Sequence, residues 1–233
     1  MGNYFSSERF LVVFPKVLSA IGVNFRIVFV SMFFGTLLAV FVALVRLKKI
    51  PVLSFFVSVY ISFMRGTPLL VQMMIAYYGI PFLLGGIFQN LFMINLNRLD
   101  AVIFVEIAII LNEGAFLGEI FRGAINAIPK VQSEAAYSIG MTKTQSFFRI
   151  VLPQAFKLVI PSYGVDLVGV FQNTSLVFTL GVVDLLGKAK TLGAASGHVL
   201  EGYIAATVIY ISFSLLLKAF FYLLERKVYS YGI

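Results

Sequence analysis

No cysteine occurs anywhere in this chain, and its single histidine, His198, has no second histidine to form a cluster with. Disulfides, thiolate metal sites and histidine-rich zinc sites are thereby excluded. Charge is scarce as well. Only 12% of the 233 residues are charged and 60% are hydrophobic, against about a quarter charged in ordinary globular domains. A soluble core of this length cannot hide so much apolar surface, whereas a bilayer accepts it at roughly 20 residues per helical span. The composition describes an integral membrane protein of about five spans.

Met1 to Ser6 fit the loose M-G-x-x-x-[ST] acylation pattern, which is short enough to arise by chance. Glu8, Arg9 and Lys16 interrupt the first apolar run before any small-residue cleavage site, so the first membrane helix is expected to be its own uncleaved insertion signal.

Spanning-length apolar stretches lie at about Ala20 to Val45, Thr67 to Gly85, Leu99 to Phe121, Phe156 to Val177 and Tyr203 to Leu224. Five spans put the termini on opposite sides. Alternating the sides groups Arg46, Lys48, Lys49, Arg65, Arg122, Lys130, Lys143, Arg149, Lys157, Lys218, Arg226 and Lys227, against Arg9, Lys16, Arg98, Lys188 and Lys190; Arg26 falls within the first span. By the positive-inside bias the larger group is cytoplasmic and the N-terminus is outside. The net charge of +8 needs nothing beyond this bias and anionic lipid, and no basic run with interleaved aromatics points to nucleic acid. In "ISFMRGTPLLVQMM", Gly66 and Pro68 break helical continuity, so a short interfacial helix is expected before the second span, with Arg65 as its interface anchor.

One polar insert interrupts the hydrocarbon, "EAAYSIGMTKTQSFFRIVLP", Glu134 to Pro153. It reads as two short helices. Pro129 and Ser133 introduce the first, and Gly140 suits its left-handed C-terminal cap. Thr142 stands three residues before Gln145, the capping-box spacing, and Pro153 is expected to close the segment. Ala135, Ala136 and Gly140 are small enough for another surface to approach the backbone, and Phe147, Phe148 and Ile150 supply apolar anchors. Such an ordered element suits insertion into a partner's groove, although composition alone allows an ordinary loop equally well.

The same segment resembles the EAA signature of permease subunits of ATP-binding-cassette (ABC) importers, with Glu134-Ala135-Ala136, Gly140, Ile150, Leu152 and Pro153 at every expected position. "RGTPLLVQ" (65–72), "GEIFRGAINAIP" (118–129), "LPQA" (152–155) and "NTSL" (173–176) are similar to the polar amino acid uptake branch of that family. The resemblance implies an all-α membrane protein of the type I importer kind, with five transmembrane helices forming one permease domain over 1–233. It implies a coupling segment at about 132–153, where Glu134, Ala135, Ala136 and Gly140 meet the ATPase. It further implies a second permease subunit, identical or paralogous, two cytoplasmic ATPase subunits, an extracytoplasmic binding protein, and residence in the cell membrane. The chain itself would be a non-enzymatic transport subunit without a cofactor, ATP and Mg being bound by the ATPase. Accordingly, no G-x-x-x-x-G-K-[ST] phosphate loop is present. Val131 departs from the motif, which has Gly before Gln132.

Carboxylates within spans are costly and usually face a protein interior or cavity. Glu106 and Glu113 share a face of the third span to within about 20°. Glu119, three residues before Arg122, is expected to pair with it. Gly114 and Gly118 form a small-xxx-small pair read as helix packing. On the fourth span Ser162, Asp166 and Asn173 share a stripe to within about 40° that continues toward Thr174. The expected substrate path therefore comprises Glu113, Ser162, Asp166, Gln172, Asn173, Thr174 and Ser175. Relatives usually carry Lys-Asp at the position of Gln172-Asn173, close to the bound amino acid; this chain keeps hydrogen-bonding capacity there without charge. The stretch "VVDLLGKAKTLGAASGHVLEGYIAA" resembles cystine-type permeases. The competing class is an ion- or proton-coupled secondary transporter using Glu106, Glu113 or Asp166, which the lack of an internal repeat disfavours. A membrane enzyme is a third, but Ser162 and Thr174 have no histidine base.

Overall fold

A computed structural model describes residues 5–230, and among these every regular element is helical. The Met1 to Tyr4 part of the acylation-like pattern lies outside the described residues. The first described element is α1 (Ser7–Leu18), which contains the charged residues that interrupt the first apolar run. Phe10, Val13, Phe14 and Val17 recur at helical spacing and pack on the core, while Glu8, Arg9 and Lys16 stay exposed. The interruptions are thus the polar face of an amphipathic helix.

α2 (Ile21–Lys48) follows after a brief turn, then the short apolar α3 (Leu53–Gly66), a short helix before the second span as expected. Pro68 stands at the N-terminal boundary of α4 (Leu69–Met74), which passes through a π turn at Ile75–Gly79 into α5 (Ile80–Phe92). α6 (Ala101–Ala127) is capped by the Asp100 side chain, which accepts from Val102 N at 3.1 Å. The polar insert forms α7 (Lys130–Ser138) and α8 (Lys143–Ser146). α8 then runs through a second π turn, Phe147–Val151, into α9 (Leu152–Asn173) and a 3₁₀ stretch at Thr174–Leu180. α10 (Leu185–Ser196) and α11 (Val199–Ser230) complete the chain.

Among the described residues, four helical stretches are long and apolar enough to cross a membrane, and the pair Lys143–Leu180 with Leu185–Ser196, bent by 47°, makes up to five. Pro153 does not close the insert as expected. A proline inside a helix lacks an N–H and crowds the carbonyl one turn back, and a π turn immediately before it absorbs that misfit. The same device precedes Pro81 in α5. Rigid helix therefore connects the insert directly to the fourth span.

α2 and α6 form the centre of the bundle through residues with little or no side chain. A Cβ on Gly114 would lie 2.5 Å from Leu38, one on Gly118 2.5 Å from Val42, and one on Gly35 2.8 Å from the Glu113 Cβ. The glycine pair is helix packing, as its spacing indicated. α10 turns back against α11 at Gly202, where a Cβ would sit 2.7 Å from the Ala189 carbonyl oxygen. Phe29, Phe33, Phe41, Phe82, Leu216 and Phe220 remain exposed on the bundle exterior, as a lipid or partner-subunit surface requires.

Candidate functional site

The insert forms a capped helix-turn-helix at one end of the bundle. Gly140 adopts φ +82°, its N–H donates to the Tyr137 carbonyl at 2.9 Å, and the Met141 N–H donates to the Ala136 carbonyl at 3.1 Å. These two bonds are the Schellman closure, which places the left-handed residue just past the helix. Thr142 Oγ1 accepts from Gln145 N at 3.2 Å and Gln145 Oε1 from Thr142 N at 2.9 Å, completing the capping box. Ala136 is buried, whereas Glu134, Ala135 and Gly140 are exposed. Val131, Tyr137, Ile139 and Phe148 expose large apolar side chains beside them. Nearby, Glu119 takes bonds from Arg122 at 2.6 and 3.0 Å and lies 3.6 Å from Arg46, so the expected Glu119–Arg122 pair forms and gains a second cation.

Residues of the expected substrate path separate into three groups. Gln172 and Ser175 line a pocket of about 390 Å³ together with Thr207, Tyr210, Ser214 and Lys218 of α11. Gln172 Nε2 donates to Ser214 Oγ at 3.2 Å across it. Ser162 and Asn173, exposed on α9 like Gln172, complete this first group without lining that pocket.

Glu113 and Asp166 form the second group. Their carboxyl groups meet across the α6–α9 contact, while Glu113 Oε2 and Asp166 Oδ2 find no conventional donor. Tyr60, whose hydroxyl donates to the Leu111 carbonyl, borders Glu113. Glu106 behaves differently despite sharing the face. Arg26 Nε donates to it at 3.1 Å, so the cation that fell within the first span supplies its partner.

Thr174 alone makes the third group, and it lies in the interior away from the pocket lining. It is fully buried, accepting from Asn24 Nδ2 at 2.6 Å and donating to the Phe171 carbonyl at 2.7 Å. Asn24 also donates to Tyr210 Oη at 2.9 Å, and Tyr210 donates to Asp184 Oδ2 at 2.9 Å. Asp184 caps α10 by accepting from Gly187 N at 2.8 Å, while Leu185 N donates to Asn24 Oδ1 at 3.1 Å. Every polar group in this clamp is satisfied, and it ties together α2, the end of α9, α10 and α11.

The family described as the binding-protein-dependent transport system inner membrane component matches residues 35–230. The chain belongs to this family. It is 38% identical over 214 residues to the L-cystine transport system permease protein TcyL of Bacillus subtilis, covering 92% of this chain and 87% of that protein. To the arginine transport system permease protein ArtQ of the same organism it is 33% identical over 216 residues, covering 93% and 94%. Among solved structures it superposes on an amino acid ABC transporter crystallised with histidines at a TM-score of 0.81 and 27% identity, covering 97% of this chain and 99% of that one. A MetNI methionine ABC transporter chain shares the fold at a TM-score of 0.71 and 16% identity. The chain is therefore a multi-pass membrane permease component with the type I importer fold.

Two features of this permease were not found in the sequence. The polar stripe of α11, Thr207, Tyr210, Ser214 and Lys218, recurs every three or four residues and was legible as a period of 3.6. Lys218 was grouped with the cytoplasmic flank by charge counting, yet it lies on the pocket face of α11, about 10 Å before Glu225. Asn24 gave no such signal, because a lone amide in an apolar run has no period.

Proposed function

We propose that this permease is the membrane-spanning subunit of an ATP-driven importer for a polar amino acid, delivered by an extracytoplasmic binding protein. The insert carries the reading. It exposes small residues and an apolar patch on a capped element that continues without a break into the fourth span, so a push on α7–α8 is delivered to the pocket-lining end of α9. A cleft on an ATPase is the partner such an element suits. Two permeases and two ATPase subunits make the working unit, ATP and its Mg²⁺ belong to the ATPases, and this chain holds no cofactor of its own. The insert and the C-terminus are cytoplasmic and the N-terminus is outside, as the Lys and Arg bias favours.

Gln172, Asn173 and Ser162 on α9 and Ser175 just beyond it, with the Glu113–Asp166 pair deeper in the bundle, are the residues we assign to the path. Cystine is the first substrate to try, given the cystine permease among the relatives. The test is reconstitution of the permease with its ATPase and binding protein in proteoliposomes, followed by uptake of radiolabelled L-cystine and L-arginine. ATP-dependent uptake that requires the ATPase is expected. Uptake driven by a pH gradient without ATPase, and abolished in Glu113→Gln, would instead establish proton-coupled transport through the carboxyl pair.

A further inference from the structure

The pocket between the end of α9 and α11 contains a single formal charge. Its lining is Gln172, Ser175, Thr207, Tyr210, Ile211, Ser214, Leu215 and Lys218, with no carboxylate among them, and Lys218 forms no ion pair among the described residues. Lys218 is exposed on the subunit, yet it stands within the long apolar helix α11. At 1.5 Å per residue, Ser214 lies about 20 Å from Glu201 near one end of α11 and about 16 Å from Glu225 near the other, so the pocket faces the middle of that helix. Lys218 is one turn from Ser214. An ammonium placed in a span costs about 2.5–3.5 kcal/mol on insertion scales unless an anion or water meets it. Thr207, Tyr210, Ser214 and Lys218 lie on one face of α11, so the ammonium is the end member of a stripe of hydrogen-bonding groups and not an isolated substitution. A volume of about 390 Å³ is within the range of small-molecule sites.

We infer that Lys218 is the carboxylate-recognising residue of the transported amino acid, with Gln172 and Ser214 as its hydrogen-bonding neighbours in the same pocket. The inference rests on the amino acid reading given above and names the group that would orient the cargo. Gln172 and Asn173 bear no charge, so the attraction for an anionic group in this pocket comes from α11 and not from α9. The Gln172 amide oxygen is an acceptor on the pocket wall and suits the ammonium end of the same molecule.

The test uses the purified permease–ATPase complex without binding protein, so that selection by the binding protein does not intervene. Equilibrium binding of radiolabelled L-cystine and L-arginine is measured for wild type, Lys218→Gln and Lys218→Arg, with competition by the corresponding amino acid amides. A charge-assisted bond supports a loss of about 10- to 100-fold in affinity for Lys218→Gln, with Lys218→Arg retaining most of it. In the wild type the free acid should outcompete its amide, and in Lys218→Gln that preference should vanish. Wild-type affinity and an intact acid-over-amide preference in Lys218→Gln would overturn the assignment while leaving the transport reading standing. Reduced complex yield with unchanged affinity in the complex that remains would also overturn it, in favour of an ion pair between subunits. A wild-type complex that binds no member of a panel of the twenty amino acids and cystine would refute the amino acid reading, and this inference with it.

Discussion

Replacing Asn24 by Leu should loosen the extremity of the bundle where α2, α10 and α11 meet, by an amount that follows from the clamp. Asn24 is fully buried and serves four neighbours: its amide nitrogen reaches Thr174 Oγ1 at 2.6 Å, Tyr210 Oη at 2.9 Å and Asp184 Oδ2 at 3.3 Å, and its oxygen accepts from Leu185 N at 3.1 Å. Two amide hydrogens cannot serve three acceptors fully, so the 3.3 Å contact is the weakest. Interhelical hydrogen bonds in membranes average about 0.6 kcal/mol and reach about 1.7. Stranding the buried Leu185 N–H at the start of α10 adds about 1–3 kcal/mol. Leu is close to Asn in size, so a cavity term is small. The sum is about 2–5 kcal/mol, dominated by the orphaned N–H. Unfolding of the purified chain by steric trapping measures it, with hydrogen exchange at Leu185, Leu186 and Gly187 as the local readout. Tyr210→Phe should cost less, and the double variant less than the sum, because both residues belong to one network. Stability within about 0.5 kcal/mol of wild type, with unchanged exchange in the first turn of α10, would refute the clamp.

Three further outcomes follow from other parts of the molecule. Gly140→Asp places a β-carbon at φ +82° and a charge at the turn of the insert, so uptake and ATPase co-purification should both fall while membrane insertion is retained; wild-type transport and complex yield in this variant would sink the coupling assignment. Asn173→Leu should cut uptake efficiency by one to two orders of magnitude with complex yield nearly unaffected, since the side chain is exposed on α9; normal uptake with reduced yield would mark it as a packing residue. Arg26→Gln leaves the nearly buried Glu106 without its half-exposed cation, and should destabilise by about 1–3 kcal/mol, a loss that Arg26→Gln/Glu106→Gln largely reverses; thermal unfolding in detergent decides, and a single variant as stable as wild type would show that the pair contributes nothing.

Hydrophobic run length determined the spans by itself, because the cost of placing polar backbone and charge in hydrocarbon leaves few other arrangements. The insert was equally legible. Its capping box, its left-handed glycine and the residues flanking it are local, and local chemistry survives in a linear pattern. The glycine pair on α6 belongs to the same class, since close helix approach demands small residues at fixed spacing. What the chain alone left open were relations between residues far apart in sequence. Glu106 and Glu113 share a helical face, yet one meets Arg26 and the other Asp166, and only the packing of α2 and α9 on α6 makes that difference. Thr174 continues the α9 stripe in sequence, but the 3₁₀ turn there and the approach of Asn24 bury it. Pro153, a stop signal by rule, is traversed because a π turn precedes it. Lys218 counts toward the flank by charge, and toward a pocket lining once α11 lies against the end of α9. Periodicity determines which face of a helix is polar. Which neighbour that face meets is set by tertiary packing, whose energy is spread over contacts that no single stretch of sequence contains.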